Sequence, residues 1–331
     1  MKNKIKFTIQ SILTDLLFWI YVFACFSFLS NKFFGFDFHY LLILSMGFLL
    51  ALIFNLTGIS VGRKIFFKTT KKKWTESFWG WSIVLLLIVT FTVGWNVVEV
   101  DLYKFFTKMK NAGGIMQGIF DPNFNILTIC LVALAETIYL ALLATVLAIP
   151  FAFVLSFFAA RNLMPKNAIG NTVYIVVRTI ATIFRSIEAI VWAIIFSVWV
   201  GIGPFAGMLA LMIHSIAALT KLYSEQIENI DSGPVEAIKA TGANTLQVWI
   251  FAVIPQIISP YLAFTIYRWD INVRMATIVG FVGGGGIGLL LLQQQQMLRW
   301  QNVGLIMWLI ALVIWIMDMV SARVREKLQG I

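Results

Sequence analysis

Apolar runs of membrane-crossing length, separated by short polar segments, dominate the chain. The runs are Leu16–Leu29, Tyr40–Ile59, Phe78–Val98, Ile126–Phe158, Ile169–Val200, Phe205–Leu222, Trp249–Val282 and Val303–Val320. A bilayer core takes about 20 apolar residues per helix. The first run is short unless it begins near Phe7. The fourth, fifth and seventh exceed one membrane thickness, so part of each is expected to lie in the interface, tilt or kink. Pro150, Pro255 and Pro260 are the candidate kink points. The pattern predicts an all-α, polytopic integral membrane protein of about eight transmembrane helices.

Composition sharpens this. Of 331 residues, 60% are hydrophobic and 12% charged, whereas a soluble chain carries about 25% charged residues. A soluble enzyme, a disordered chain and a nucleic-acid binder are excluded, although the net charge of +10 points superficially to nucleic acid. Basic loops at a lipid bilayer explain that charge better. Cys25 and Cys130 lie in apolar runs, which leaves no disulfide framework, and two histidines, His39 and His214, are too few for a histidine-based metal site.

Orientation follows from where Lys and Arg fall. With the N-terminus inside, the inner segments carry 16 basic residues and the outer ones five, Lys32, Lys104, Lys108, Lys110 and Arg299. The expectation is N-in and C-in. Leu16–Leu29 has the basic flank of a secretory signal, but Ser27-Phe28-Leu29-Ser30-Asn31 is a poor cleavage site, so the run reads as an uncleaved anchor. Composition breaks near Thr69–Ser77, after six basic residues between Arg63 and Lys73 that read as a cytoplasmic linker. Residues 1–77 are therefore expected to be an accessory helical hairpin and residues 78–331 the working domain.

Ionisable residues inside spans are costly and need a partner or a polar pathway. Arg178, Thr182, Arg185 and Glu188 are spaced to share one helix face, with Glu188 placed to pair with Arg185. Asp270 and Arg274 are four apart in the seventh run, as are Arg268 and Asn272. Four arginines against two carboxylates leave two positive charges over. One reading is interhelical salt bridges with snorkelling near the span ends, above all at Arg178. The other is a cationic pathway for an anion, which guanidinium forks suit. Glu136 reads as an interfacial acid or a mouth residue, and His214 as a hydrogen-bonded packing residue.

Between the sixth and seventh runs the chain reads Asp231-Ser232-Gly233-Pro234-Val235-Glu236-Ala237-Ile238-Lys239-Ala240-Thr241-Gly242-Ala243-Asn244. Asp231 or Ser232 can cap a helix, and Gly233-Pro234 signals a turn. A short helix over Val235–Thr241 is expected, stopped by Gly242 as a left-handed cap. A second, Asn244–Phe251, leads to Ile254-Pro255. The residue types also admit an ordinary amphipathic connector.

Glu236-Ala237, Gly242 and Ile254-Pro255 resemble the "EAA" loop of binding-protein-dependent ABC importer permeases. Ile238, Ala252 and Ile254 depart from that pattern conservatively. Several stretches are further similar to the phosphonate-uptake branch: Gly201-Ile202-Gly203-Pro204-Phe205-Ala206-Gly207, Tyr267 to Arg274 with Ala276-Thr277, Gly283 to Gly288, Glu136-Thr137 and Ala159-Ala160-Arg161-Asn162. The resemblance spans Ile126–Gln329. Its wider pattern often has Pro after Arg-[Ser/Thr]-[Ile/Leu], where this chain has Glu188. The resemblance implies a MetI-like permease core with cytoplasmic coupling helices, in the inner membrane of a prokaryote. It also implies a second copy of the chain, a substrate-binding protein and an ATPase subunit that docks at Glu236, Ala237, Gly242 and Pro255. ATP and Mg would be bound by that ATPase, with no cofactor in this chain.

Gly283-Gly284-Gly285-Gly286-Ile287-Gly288 lacks the Gly-Lys-[Ser/Thr] ending of a nucleotide loop. It reads as broken backbone at a pathway, a gate or hinge, or as close packing. No catalytic constellation is evident. The function expected is an ATP-driven importer permease for phosphonate or a related oxyanion. The alternatives are an ion-coupled secondary transporter using Glu188 and Asp270, and the same permease carrying phosphate or phosphite.

Overall fold

A computed structural model describes residues 2–36, 38–56, 78–165 and 167–329, so the basic linker between Arg63 and Lys73 lies outside the described residues. Every regular element among the described residues is a helix. That is the expected solution for a chain in lipid, because a helix satisfies its backbone donors and acceptors within one segment. The residues group into two compact units, 1–108 and 109–331.

The first unit holds α1 (Lys2–Phe34), α2 (Tyr40–Leu56), α3 (Phe78–Val97) and α4 (Leu102–Lys108). α1 packs on both α2 and α3. The Tyr21 hydroxyl donates to Thr90 Oγ1 at 2.8 Å, joining α1 to α3. α3 and α4 are bent by 50°. The residue Glu99 between them takes a left-handed φ of 53°, which no helix can continue.

The second unit holds α5 (Gly113–Phe120), α6 (Leu127–Ala159), α7 (Ala168–Ser186), α8 (Ala189–Val200) and α9 (Pro204–Glu228). It continues with α10 (Ser232–Ala240), α11 (Thr245–Val248), a π-helical turn Trp249–Val253, and α12 (Ile254–Gly280). α13 (Gly286–Gln296) and α14 (Trp300–Gln329) close it. α9 is the axis of this unit and packs on α6, α7, α8 and α12. In its most apolar window 56% of residues are buried, against 33%, 28% and 22% for the windows containing α6, α12 and α14. Small residues make that possible. Ala141, Ala144 and Ala148 of α6, and Ala206 and Ala210 of α9, are fully buried, and such residues let helix backbones approach closely in a membrane.

Among the described residues, five helices are long and apolar enough to cross a membrane, or up to seven crossings if each of two bent helix pairs counts as one. α6 runs unbroken through Pro150. The over-long run Ile169–Val200, expected to tilt, kink or lie partly in the interface, is two helices, α7 and α8, bent by 88°. Ile187 (φ −90°, ψ 120°) and Glu188 (φ −61°, ψ 147°) are both extended, and two such residues end a helix. The freed carbonyl of Ile187 accepts from His214 Nδ1–H at 3.0 Å, so the break is braced by α9.

Candidate functional site

The segment joining α9 to α12 is a helical knob built by local signals. The Asp231 side chain caps α10, accepting from the Gly233 N–H at 3.0 Å. Gly242 ends the helix with φ +80°. Asn244 and Gln247 then form a reciprocal capping box at α11, at 2.9 and 2.8 Å. α10 has no buried residue, so Glu236 and Ala237 face outward. A Cβ at Gly242 would meet nothing within 4 Å. Glycine is needed there for its left-handed backbone, not for close approach within the chain. Pro255 is exposed where the π-helical turn Trp249–Val253 passes into α12.

A second set of residues is buried where α6, α9 and α12 meet. Asn272 is 0% exposed and Arg268 6%. Asn272 Nδ2 donates to Thr145 Oγ1 and to Ser215 Oγ, each at 2.8 Å, and its Oδ1 accepts from Ser215 at 3.2 Å. Arg268 Nε donates to Ser215 Oγ at 3.0 Å, while its Nη2 is buried without a hydrogen-bond partner among the described residues. Glu188 lies close enough to Arg268 and to His214 to interact electrostatically. The α7–α8 break is thus joined through α9 to the polar face of α12.

Arg274 and Arg178 are each held by an ion pair with another helix, and Arg274 also by its i,i+4 neighbour Asp270. Arg274 Nη2 reaches Asp270 Oδ2 at 2.6 Å and Asp318 Oδ1 of α14 at 2.8 Å. Arg178 Nη1 reaches Glu228 Oε1 of α9 at 2.7 Å and the Tyr174 hydroxyl at 2.9 Å. Two expectations are corrected here. Glu188 does not share a helix face with Arg178, Thr182 and Arg185, because α7 ends at Ser186. No Arg185–Glu188 ion pair forms among the described residues, although both side chains are exposed. Arg178 sits with Glu228, not with the Arg268 set. The residues missed in sequence are Thr145, Ser215, Glu228 and Asp318. Only Asp318, a carboxylate inside the last apolar run, carried a visible signal.

The glycine run is a tight turn between α12 and α13. Gly283, Gly285 and Gly286 take φ of +92°, +76° and +67°. A Cβ on Gly207 of α9 would come within 2.5 Å of the Gly284 carbonyl oxygen, and one on Gly280 within 2.7 Å of the Gly288 Cα. The Ile287 N–H donates to Thr137 Oγ1 at 2.8 Å, pinning the start of α13 to α6. The run therefore lets backbone lie directly on α9 and α6. The described residues contain no cluster of three or more His, Cys, Asp or Glu able to hold a metal ion.

These features define a polytopic, all-helical membrane protein with a buried polar seam and an exposed helical knob. The chain belongs to the family of binding-protein-dependent transport system inner membrane components, whose model matches residues 152–329. It is 31% identical over 244 residues to the phosphite transport system permease protein PtxC of Stutzerimonas stutzeri, covering 74% of this chain and 87% of that one. It is 30% identical over 244 residues to the phosphate-import permease protein PhnE of Mycolicibacterium smegmatis, covering 73% of this chain and 45% of that one. Among solved structures, the inward-facing MetNI methionine ABC transporter aligns with a TM-score of 0.48 at 21% identity, over 65% of this chain and 95% of that one.

Proposed function

We propose that this chain is the permease of an ATP-driven importer that carries a small phosphorus oxyanion, phosphonate or its relatives phosphite and phosphate, by alternating access. The observation that carries the reading is the knob: a short helix with no buried residue, displaying Glu236 and Ala237 and ended by left-handed Gly242, within a binding-protein-dependent transport family. A surface so built, exposed among the described residues, suits a separate ATPase subunit that binds ATP and Mg. Movement of that subunit would pass through the knob and Pro255 into α12.

The transport core is proposed to lie within residues 78–331, with 1–77 accessory. Two copies of the chain would form the path, with a substrate-binding protein on the outer face. The topology proposed is N-in and C-in, with about eight crossings in a prokaryotic inner membrane. Arg178, Thr182, Arg185, Glu188, Arg268, Asp270, Asn272 and Arg274 are the proposed pathway set. Within it Arg185, Glu188 and Arg268 are favoured, because no direct ion pair occupies them among the described residues. Gly283, Gly284, Gly285, Gly286 and Gly288 are proposed as the gate, since backbone lying on backbone can shift only as a unit.

Glu236→Lys and Gly242→Trp test the knob. Each is expected to leave the protein inserted and assembled in the full complex while abolishing uptake and substrate-stimulated ATP hydrolysis per complex. Uptake that survives both would remove the knob from the mechanism.

A further inference from the structure

Two cavities lie end to end between α7 and α9. The first, about 860 Å³, is lined by Arg161, Asn171, Tyr174, Arg178 and Glu228, with Asn167 and Ala168 at the α7 N-terminus. The second, about 260 Å³, is lined by Leu155, Val177, Ala181, Phe184, Ala217 and other apolar side chains, with Thr220 its sole polar residue. Both use the same two helices. On α7 the lining passes from Arg178 to its neighbour Val177 and then to Ala181 and Phe184. On α9 it passes from Glu228 to Thr220, Ala217 and Ile213, a length of about 22 Å at helical rise.

The polar end is organised around one ring. Tyr174 carries the Arg161 guanidinium at 5.2 Å from its ring centroid and that of Arg178 at 5.4 Å. Arg161 Nη1 also donates to Asn171 Oδ1 at 2.6 Å, and its backbone N–H to Glu228 Oε1 at 2.8 Å. Arg178 pairs with both Glu228 and Glu225, at 2.7 and 3.9 Å, and Lys221 reaches Glu225 at 3.6 Å. Arg161, Arg178 and Lys221 against these two carboxylates leave one net positive charge, to which the α7 N-terminus adds its partial positive end. A single net positive charge beside an apolar groove on the same two helices matches a phosphodiester monoanion joined to an acyl chain. The small oxyanions proposed as cargo have no long apolar chain to fill the second cavity.

We infer that the slot between α7 and α9 holds an anionic phospholipid, with its phosphodiester at Arg161 and Arg178 and one acyl chain along Val177, Ala181 and Phe184. Basic pockets between transmembrane helices commonly take such head groups. The lipid would splint α7 to α9 below the α7–α8 break, independently of what the protein transports.

Native mass spectrometry of the purified full-length chain tests this, with palmitoyl-oleoyl phosphatidylglycerol, the corresponding phosphatidylcholine, and glycerophosphoglycerol as the head group alone. The wild type is expected to retain phosphatidylglycerol at least tenfold over phosphatidylcholine and to retain the free head group least. Arg161→Gln, at the exposed head end, and Ala181→Phe, which fills the groove, should each cut retention about tenfold with unchanged size-exclusion elution. Should Ala181→Phe fail to fold, Arg161→Gln decides alone. Equal retention of the two lipids, or a head group that binds as well as the lipid, overturns the inference. So does a wild type that retains no lipid while Ala181→Phe splits a dimer, since the groove would then belong to the second copy.

Discussion

Residue 188 offers a test of the α7–α8 break at a single backbone position. Glu188 has φ −61° and ψ 147°, and the preceding Ile187 is in the β region. Proline fixes φ near −65° and forces the residue before it into that same region. The Glu188 N–H makes no backbone hydrogen bond among the described residues, while its carbonyl accepts from Val191 at 3.0 Å, a bond that proline keeps. Glu188→Pro therefore fits without strain and should stabilise by about 0.4–1 kcal/mol through the unfolded chain. Proline also removes a charge near Arg268, so Glu188→Gln is the proper reference. In detergent-solubilised protein Glu188→Pro should melt above Glu188→Gln by about 1–3 °C. A proline variant less stable than the glutamine variant by more than 1 kcal/mol would refute the extended break and restore one continuous helix.

The buried seam makes a second prediction. Asn272→Leu removes three hydrogen bonds at a fully buried position and should cost about 2–4 kcal/mol, read as a lowered thermal midpoint. Thr145→Val, which removes one of them, should cost less. In the α12–α14 contact, Asp270→Asn leaves Arg274 with Asp318, and Asp318→Asn leaves it with Asp270. The double variant should therefore lose more stability than the sum of the singles, by at least about 0.5 kcal/mol in a double-mutant cycle. At the knob, Gly242→Ala meets no steric contact and should cost only the left-handed backbone term, about 1–2 kcal/mol. Gly242→Asn should cost less.

The knob was legible because its signals are local. Asp231, Gly233-Pro234, Gly242 and Asn244 each act on backbone within four residues, and the helices they predict form with ends shifted by a few residues. The position of the α7–α8 break was not legible. Ile187 and Glu188 carry neither Gly nor Pro, and apolar residues continue through them, so the run reads as one span. What ends the helix is tertiary: His214, 27 residues away, takes the carbonyl that α7 gives up. The charges were legible only in part. Asp270 and Arg274 pair at the helical spacing the sequence shows, but Arg178 also pairs with Glu228 and Arg274 with Asp318, partners 50 and 44 residues distant, beyond any helical spacing rule. The glycine run was visible as irregular backbone, but its purpose in packing emerges only when Gly284 is seen against Gly207.

The account rests most directly on whether transport is coupled to a separate ATPase. The deciding measurement is uptake of radiolabelled phosphite, phosphate and methylphosphonate into proteoliposomes that hold this chain with its partner ATPase and binding protein. Accumulation of at least one of these anions is expected only when ATP, the ATPase and the binding protein are all present, and Glu236→Lys should abolish it. Accumulation driven by an ion gradient, with this chain alone in the membrane, would contradict ATP-coupled import.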